Sequence, residues 1–407
     1  MRTYPAILGG EPAFAEQVPV SRPTTPPAEP LLRRVRDVLD SAMLTNGRHV
    51  REFEAEVAGF LGVGHAVAVS NCTVGLMLLL RCLGLRGSVV LPSFTFMATA
   101  HAVAWNRLGI RFVDVDAATW TVDPDSAAAG AVGAAGDAVA AVLAVHTFGA
   151  PCAVPPLSAV AVRHRVPLLF DAAHGFGAKY PDGTAVGTGG TAEVFSLSPT
   201  KQLSAGEGGL VTTNDGDLAR ELRVAREYGN PGDYDSAFVG LNARLPELSA
   251  LLGRASLAEF PQWLERRRAT ALRYRANLAD VPGVTFQQVP EGALSSAKDL
   301  TIRIDESHFG MSRDRLAACL SAERVATRCY FYPPVHRQRA YRQVTPSVSL
   351  PETETLAASV LTLPLYSHLS ADVVDRICEA IRTIQQAADL IGESAPVGIG
   401  APDPTNL

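Results

Sequence analysis

Lysine is nearly missing from this chain. Of 407 residues, 36 are basic; 33 of those are arginine, and only Lys179, Lys201 and Lys298 are lysine. Arginine stays charged and forms no imine with a carbonyl, whereas a lysine does so whenever its amine is neutral part of the time. Cysteine is sparse as well. Cys72, Cys82, Cys152, Cys319, Cys329 and Cys378 include no C-x-x-C pair, and no His-rich cluster accompanies them. That pattern reads as reduced thiols in the cytoplasm, with no metal site and no disulfide framework. No apolar run approaches the roughly 18 residues of a membrane span. No basic segment followed by an apolar stretch opens the chain as a secretory signal would. A net charge of −5 provides no basic field for nucleic acid.

What is present suits a globular enzyme, with 47% apolar and 19% charged residues. Residues 1–30 are rich in Pro and Gly and read as an extended arm. Helices are expected over Leu31–Ala42, Arg48–Leu61, Thr73–Leu85, Met97–Leu108 and Pro156–His164. Near-continuous apolar runs mark seven strands: His65–Ser70, Ser88–Ser93, Ile110–Asp116, Val139–Gly149, Val166–Asp171, Ala192–Ser198 and Gly209–Thr213. Such runs fit strands buried on both faces. The alternation predicts a doubly wound α/β domain over 31–260 with a mostly parallel seven-stranded sheet. The helical pattern from Arg244 to Asp280 is interrupted at Pro261. A smaller α/β domain is expected over 261–391, and a disordered tail over 392–407.

Ligands in such sheets bind beyond the carboxyl ends of the strands. Several of these ends carry chemistry. Lys201 follows a strand and a turn and precedes the glycine-rich Gly206-Glu-Gly-Gly209; its neighbours alone do not distinguish a nucleophile from a surface cation. Asp171 closes an apolar strand and leads into Ala172-Ala-His174; alone it reads equally as a turn-capping Asp. Ser70-Asn-Cys-Thr73 opens a helix, where N–H groups and the Thr73 hydroxyl suit either a phosphate or a simple cap. Ser196 could add a hydroxyl. Phe96 could lie flat on a ring, and Phe94 has the same claim. A lysine, an acid, a phosphate cup and a stacking ring are what a pyridoxal phosphate site requires.

In order and spacing the set resembles the DegT/StrS-type sugar aminotransferases, which are fold-type I pyridoxal phosphate enzymes. The resemblance runs from about residue 6 to 385. It rests on Leu44-Thr-Asn-Gly47, Val50-Arg-Glu-Phe-Glu54, Ser70-Asn-Cys-Thr-Val-Gly-Leu76, Pro92-Ser-Phe-Thr-Phe96, Val145-His146, Asp171-Ala-Ala-His174, Phe195-Ser196, Thr200-Lys201 and Gly206-Glu-Gly-Gly209. Gly240-Leu-Asn-Ala-Arg-Leu-Pro-Glu247 and Tyr332-Pro-Pro-Val-His336 complete it. It implies that Lys201 carries the cofactor and moves the proton, and that Asp171 pairs with the pyridine nitrogen. His174 then lies near the phenolic oxygen, and Phe96 stacks on the ring. Cys72, Thr73 and Ser196 hold the phosphate, Cys72 standing where the family usually has Gly. Asn242 reaches a neighbouring subunit's phosphate, which implies a homodimer with shared active sites. Tyr332 and His336 lie near the substrate entrance.

The implied reaction passes an amino group from glutamate or glutamine, through pyridoxamine phosphate, to a nucleotide-linked keto sugar. Leu8-Gly-Gly-Glu-Pro-Ala-Phe14, the Ser70–Leu76 stretch and Asp171–His174 look most like members acting on dTDP-4-keto-6-deoxyglucose, in natural-product or surface-glycan biosynthesis. The segment around Lys201 is less like that subgroup and leaves 3-keto sugars and keto-cyclitols open. Arg328, Tyr330 and His336 could contact a diphosphate or could be surface residues. A dehydrating branch of the family carries His in place of the lysine, and Lys201 argues against it. A regulatory protein that binds the cofactor without catalysis is a further alternative, since fold alone does not fix function.

Overall fold

A computed structural model describes residues 4–132, 138–343 and 348–392. Its first part alternates helices and strands: α1 (Ala28–Ser41), α2 (Arg48–Leu61), β1 (His65–Val69), α3 (Cys72–Cys82), β2 (Ser88–Pro92), α4 (Met97–Trp105), β3 (Gly109–Val113) and α5 (Pro124–Ala131). There follow β4 (Val139–Val145), α6 (Val154–His164), β5 (Leu168–Asp171), β6 (Ala192–Ser196), β7 (Gly209–Thr213) and α7 (Gly216–Ala225). The strands form one seven-stranded sheet in the order β1-β7-β6-β5-β4-β2-β3. Valine- and alanine-rich strands such as Val139–Val145 are buried almost throughout, because helices cover both faces of the sheet.

One strand departs from parallel. β7 runs antiparallel to both β1 and β6, while the other adjacent pairs are parallel. A parallel return needs a crossover, usually a helix. The link from β6 to β7 carries no helix, so the chain turns back beside β6. The carboxyl ends of β1, β2, β4, β5 and β6 therefore share one edge of the sheet.

The rest of the chain builds a second core. Its elements are α8 (Glu247–Leu278), β8 (Val284–Phe286), β9 (Leu300–Ile304), α9 (Glu306–Phe309), α10 (Arg313–Ala322), α11 (Pro351–Ser359), β10 (Val360–Leu363), α12 (Ala371–Gln386) and α13 (Ala388–Gly392). The strands form an antiparallel sheet, β10-β9-β8. Tyr274 and Leu278 of α8, Leu316 and Leu320 of α10, and Ile377 and Ile381 of α12 close over it.

Two expectations change here. α8 runs unbroken through Pro261, so the helical pattern is not interrupted there. A proline inside a helix costs about 3 kcal/mol, and tertiary packing offsets that cost: Phe260 and Leu264 bury into the first core, Tyr274 and Leu278 into the second. Nor is the N-terminal arm a bare extension. Ala13, Phe14 and Val18 belong to the second core. The Glu323 carboxylate accepts from the N–H of Ala6 (2.7 Å) and Ala13 (2.6 Å). The expected tail falls, from residue 393 onward, outside the described residues. Among the described residues no helix is long and apolar enough to cross a membrane, and no group of three His, Cys, Asp or Glu is placed to hold a metal ion.

A remote carboxylate starts α2. Its N-cap position is Gly47, which has no capping side chain. Glu247, at the head of α8 and 2% exposed, fills the role. Its Oε1 accepts from Gly47 N–H and Val50 N–H (both 2.9 Å), and its Oε2 from His49 N–H (2.8 Å). The positive end of the helix dipole favours the charge. Removing it leaves buried N–H groups unpaired. Glu247→Ala is expected to cost about 3 kcal/mol in urea unfolding of the apoprotein, with part of the loss restored by Glu247→Gln. A loss under about 1 kcal/mol would show that the carboxylate is not the cap.

Candidate active site

The shared strand edge collects most of the residues singled out above. β5 delivers Asp171, which is buried. Its Oδ2 accepts from the Thr99 hydroxyl (2.7 Å) and its Oδ1 from the Ala173 N–H (3.1 Å). Cys72, the first residue of α3, turns its thiol inward, with Sγ 3.7 Å from the Val194 carbonyl and 4.0 Å from Asp171 Oδ1. Burial, with the Asp171 charge beside it, pushes that thiol well above its usual pKa. The thiol is therefore neutral and occupies the core side of the turn. The Asn71 side chain caps α3 through the Val74 N–H (2.9 Å), and the Asn71 carbonyl takes the Gly75 N–H. The Cys72 and Thr73 N–H groups are the other donors of this first turn, where an anion is favoured. Strand β7 backs the turn closely. A Cβ on Gly209 would lie 2.5 Å from the Asn71 carbonyl carbon and 2.7 Å from the Cys72 nitrogen, so only glycine fits. Ser196, at the end of β6, has its hydroxyl 3.4 Å from that of Ser198.

Lys201 lies on the helix-free link between β6 and β7. Burial, reinforced by the Lys298 ammonium, lowers its amine from an ordinary 10.5 to about 8, against the pull of the Asp299 and Asp171 carboxylates. Gln202 fixes this link. Its Nε2 donates to the His174 carbonyl (2.7 Å) and to Ser296 Oγ (2.8 Å), and Ser296 Oγ itself donates to the His174 carbonyl (2.6 Å). The loops bearing Lys201 and His174 are thus tied together and to the segment leading into β9. His174 receives the Phe148 N–H on Nδ1 (3.2 Å), so that nitrogen carries the lone pair. Burial, Lys201 and Lys298 hold its pKa well below the usual value. The ring is neutral, with its proton on Nε2, and stacks on Phe148 and Phe331.

The two phenylalanines separate clearly. Phe94 is 0% exposed and packs edge-on against Phe148 and Phe331. Phe96, the residue before α4, is 51% exposed and open to a ligand. Asn242 is exposed, and its neighbour Ala243 accepts the Ser70 N–H (2.8 Å) at the end of β1. Tyr332 is exposed, with Arg313 beneath its ring at 5.2 Å. Arg328 pairs through its backbone with Thr362 and through its side chain with the Tyr330 hydroxyl. His336 does not face a substrate space. It is 1% exposed, with Nδ1 2.6 Å from Ser93 Oγ and Nε2 3.1 Å from Glu354. Nδ1 ties this segment to the residue after β2, and Nε2 ties it to Glu354 of α11.

Sequence reasoning missed Thr99, Gln202 and the pair Lys298–Asp299. Thr99 and Gln202 lie close to quoted motifs but carry no chemistry of their own. Lys298 could have been found by the opening signal, the scarcity of lysine.

The donor set fits pyridoxal phosphate. A buried acid, a helix start with N–H donors, an uncovered aromatic and a lysine of lowered pKa converge on one edge. Comparison with known proteins agrees. Residues 28–382 match the model of the DegT/DnrJ/EryC1/StrS aminotransferase family. A UDP-N-acetyl-3-dehydro-α-D-glucosamine 3-aminotransferase from Acidithiobacillus ferrooxidans is 33% identical, across 88% of this chain and 94% of that one. A dTDP-4-amino-4,6-dideoxy-D-glucose transaminase from Shigella dysenteriae is 29% identical, across 90% and 98%. The crystal structure of DesI, determined in the presence of its TDP-sugar product, superposes with a TM-score of 0.90 at 40% identity, covering 96% of this chain and 99% of that one. The chain belongs to the DegT/DnrJ/EryC1/StrS aminotransferase family and is a pyridoxal phosphate-dependent sugar aminotransferase.

Proposed function

We propose that the enzyme transfers an amino group from glutamate or glutamine to dTDP-4-keto-6-deoxyglucose, acting in the cytoplasm as a homodimer. The observation that supports a dTDP-linked sugar is the likeness, over nearly the whole of both chains, to DesI, whose structure was determined with a TDP-sugar product. The name of the Shigella relative points to the same sugar class. The exposed Asn242, next to Ala243, whose carbonyl accepts the Ser70 N–H just before α3, supports a site completed by a second subunit.

The residues take these parts under that reading. The first turn of α3 and the Thr73 and Ser196 hydroxyls hold the phosphate. Phe96 covers the ring face. Asp171, steadied by Thr99 and Ala173, pairs with the pyridine nitrogen. The neutral His174 offers its Nε2–H to the phenolic oxygen. Bound pyridoxal phosphate supplies the electron sink that lets the substrate carbon lose a proton. Lys201 holds the cofactor and moves that proton on Nζ, a role its lowered pKa suits.

Incubation of the holoenzyme with glutamate or glutamine and a set of dTDP- and UDP-linked keto sugars and a keto-cyclitol tests the assignment. Amination of dTDP-4-keto-6-deoxyglucose with release of 2-oxoglutarate (glutamate as donor) is the expected result. Lys201→Ala should bind pyridoxamine phosphate yet lose turnover by about 10²–10⁴-fold or more. Turnover of other ketones alone would reassign the sugar, and retained activity in the variant would sink the role of Lys201.

The amine of Lys201 also sets a pH dependence. With a pKa of about 8, about a tenth of the amines are neutral at pH 7 and about nine tenths at pH 9. Attachment of pyridoxal phosphate to the apoprotein needs the neutral form. Its rate, followed by visible absorbance, should rise roughly tenfold between pH 7 and 9 and then level off. A rate still climbing steeply from pH 9 to 10 is what an ordinary lysine would give, and would contradict the lowered pKa.

A further inference from the structure

The segment leading into β9 brings a second lysine to the site. Lys298 and Asp299 have side chains 5% exposed, and Lys298 Nζ lies 2.7 Å from Asp299 Oδ1. The segment is held firmly. Arg267 donates to the carbonyls of Ala297 (3.0 Å) and Lys298 (2.6 Å), and Ser296 is tied to His174 and Gln202. The pair is part of the site's framework rather than a mobile surface contact.

Its second oxygen is left over. Asp299 Oδ2 is buried and has no hydrogen-bond partner. It lies 4.0 Å from His174 Nδ1, but that nitrogen already accepts the Phe148 N–H and has no proton to give. A buried carboxylate oxygen without a donor is costly, and native structures rarely leave one so. A hydrogen-bond donor from outside the chain, either a bound water or a ligand group, completes it. An anionic group is excluded by the carboxylate's own charge, which rules out the diphosphate and the carboxylates of an amino-acid donor. A neutral sugar ring brings hydroxyl donors.

We propose that Asp299 is a specificity residue whose Oδ2 accepts a ring hydroxyl of the keto sugar, with Lys298 as its buried counter-ion. The proposal rests on the sugar aminotransferase reading above and names a contact within it. A site built to bond a hydroxyl discriminates strongly against an analogue that lacks it.

The test compares dTDP-4-keto-6-deoxyglucose with its 2-deoxy and 3-deoxy analogues in the wild-type holoenzyme and in Asp299→Asn. Folding is read from the visible band of the bound cofactor. Should Asp299→Asn lack the band, the double variant Lys298→Met/Asp299→Leu takes its place, since removing both charges avoids a buried unpaired one. In the wild type, kcat/KM for one deoxy analogue should fall on the order of 10²-fold or more below the parent sugar. In the variant that ratio should shrink to within a few-fold, because the partner of the missing hydroxyl is gone. The same selectivity in both proteins overturns the role of Asp299, and so does loss of the cofactor band in both variants, which makes the pair structural. If the wild type aminates none of the keto sugars, the sugar reading itself falls and the contact with it.

Discussion

The site depends on taking the amine of Lys201 out of water beside another ammonium. A buried charge is expensive unless it is paired. Lys298 has its counter-charge in contact, the Asp299 carboxylate at 2.7 Å. Burial, with that neighbouring ammonium adding to it, makes Lys201 hold its proton less tightly, at about 8. The same crowding, added to burial, keeps His174 neutral. Two properties that the chemistry needs, a nucleophilic amine and an uncharged donor, follow from one arrangement of charge.

That arrangement exists only where the two cores meet. Lys201, Asp171 and His174 come from the seven-stranded sheet, and the Lys298–Asp299 pair comes from the segment entering the three-stranded one. Gln202 and Ser296 tie the two sides through the His174 carbonyl. Helix α8 serves both cores, burying its first half in one and its second in the other, and its Arg267 anchors the segment that carries the pair. The antiparallel return of β7 contributes as well. It makes the link from β6 a turn rather than a helix, and it sets Gly209 against the start of α3.

Much of the sheet was legible because its strands are written as apolar runs: His65–Val69, Ser88–Pro92 and Gly209–Thr213 fall within a residue or so of expectation. The direction of β7 was not, since strand polarity depends on pairing and leaves no mark in composition. The passage of α8 through Pro261 was hidden for a related reason: local propensity opposes it and distant packing overrides it. In the site, Asp171 and Lys201 were ambiguous one at a time, and only the ordered set of strand ends singled them out as candidates. His336 resembled a substrate contact because its burial between Ser93 and Glu354 depends on residues far from it in sequence. Phe94 and Phe96 carried equal claims until exposure separated them. Asp299 could not be noticed at all from sequence, because its significance lies in a bond it does not make.

Of the two buried lysines that share this site, Lys201 is the one proposed to carry the cofactor. Borohydride reduction of the holoenzyme followed by peptide mass mapping asks this directly. A single phosphopyridoxyl group on Lys201, with Lys298 and Lys179 unmodified, is the expected result. A label on Lys298, or none on Lys201, would contradict it.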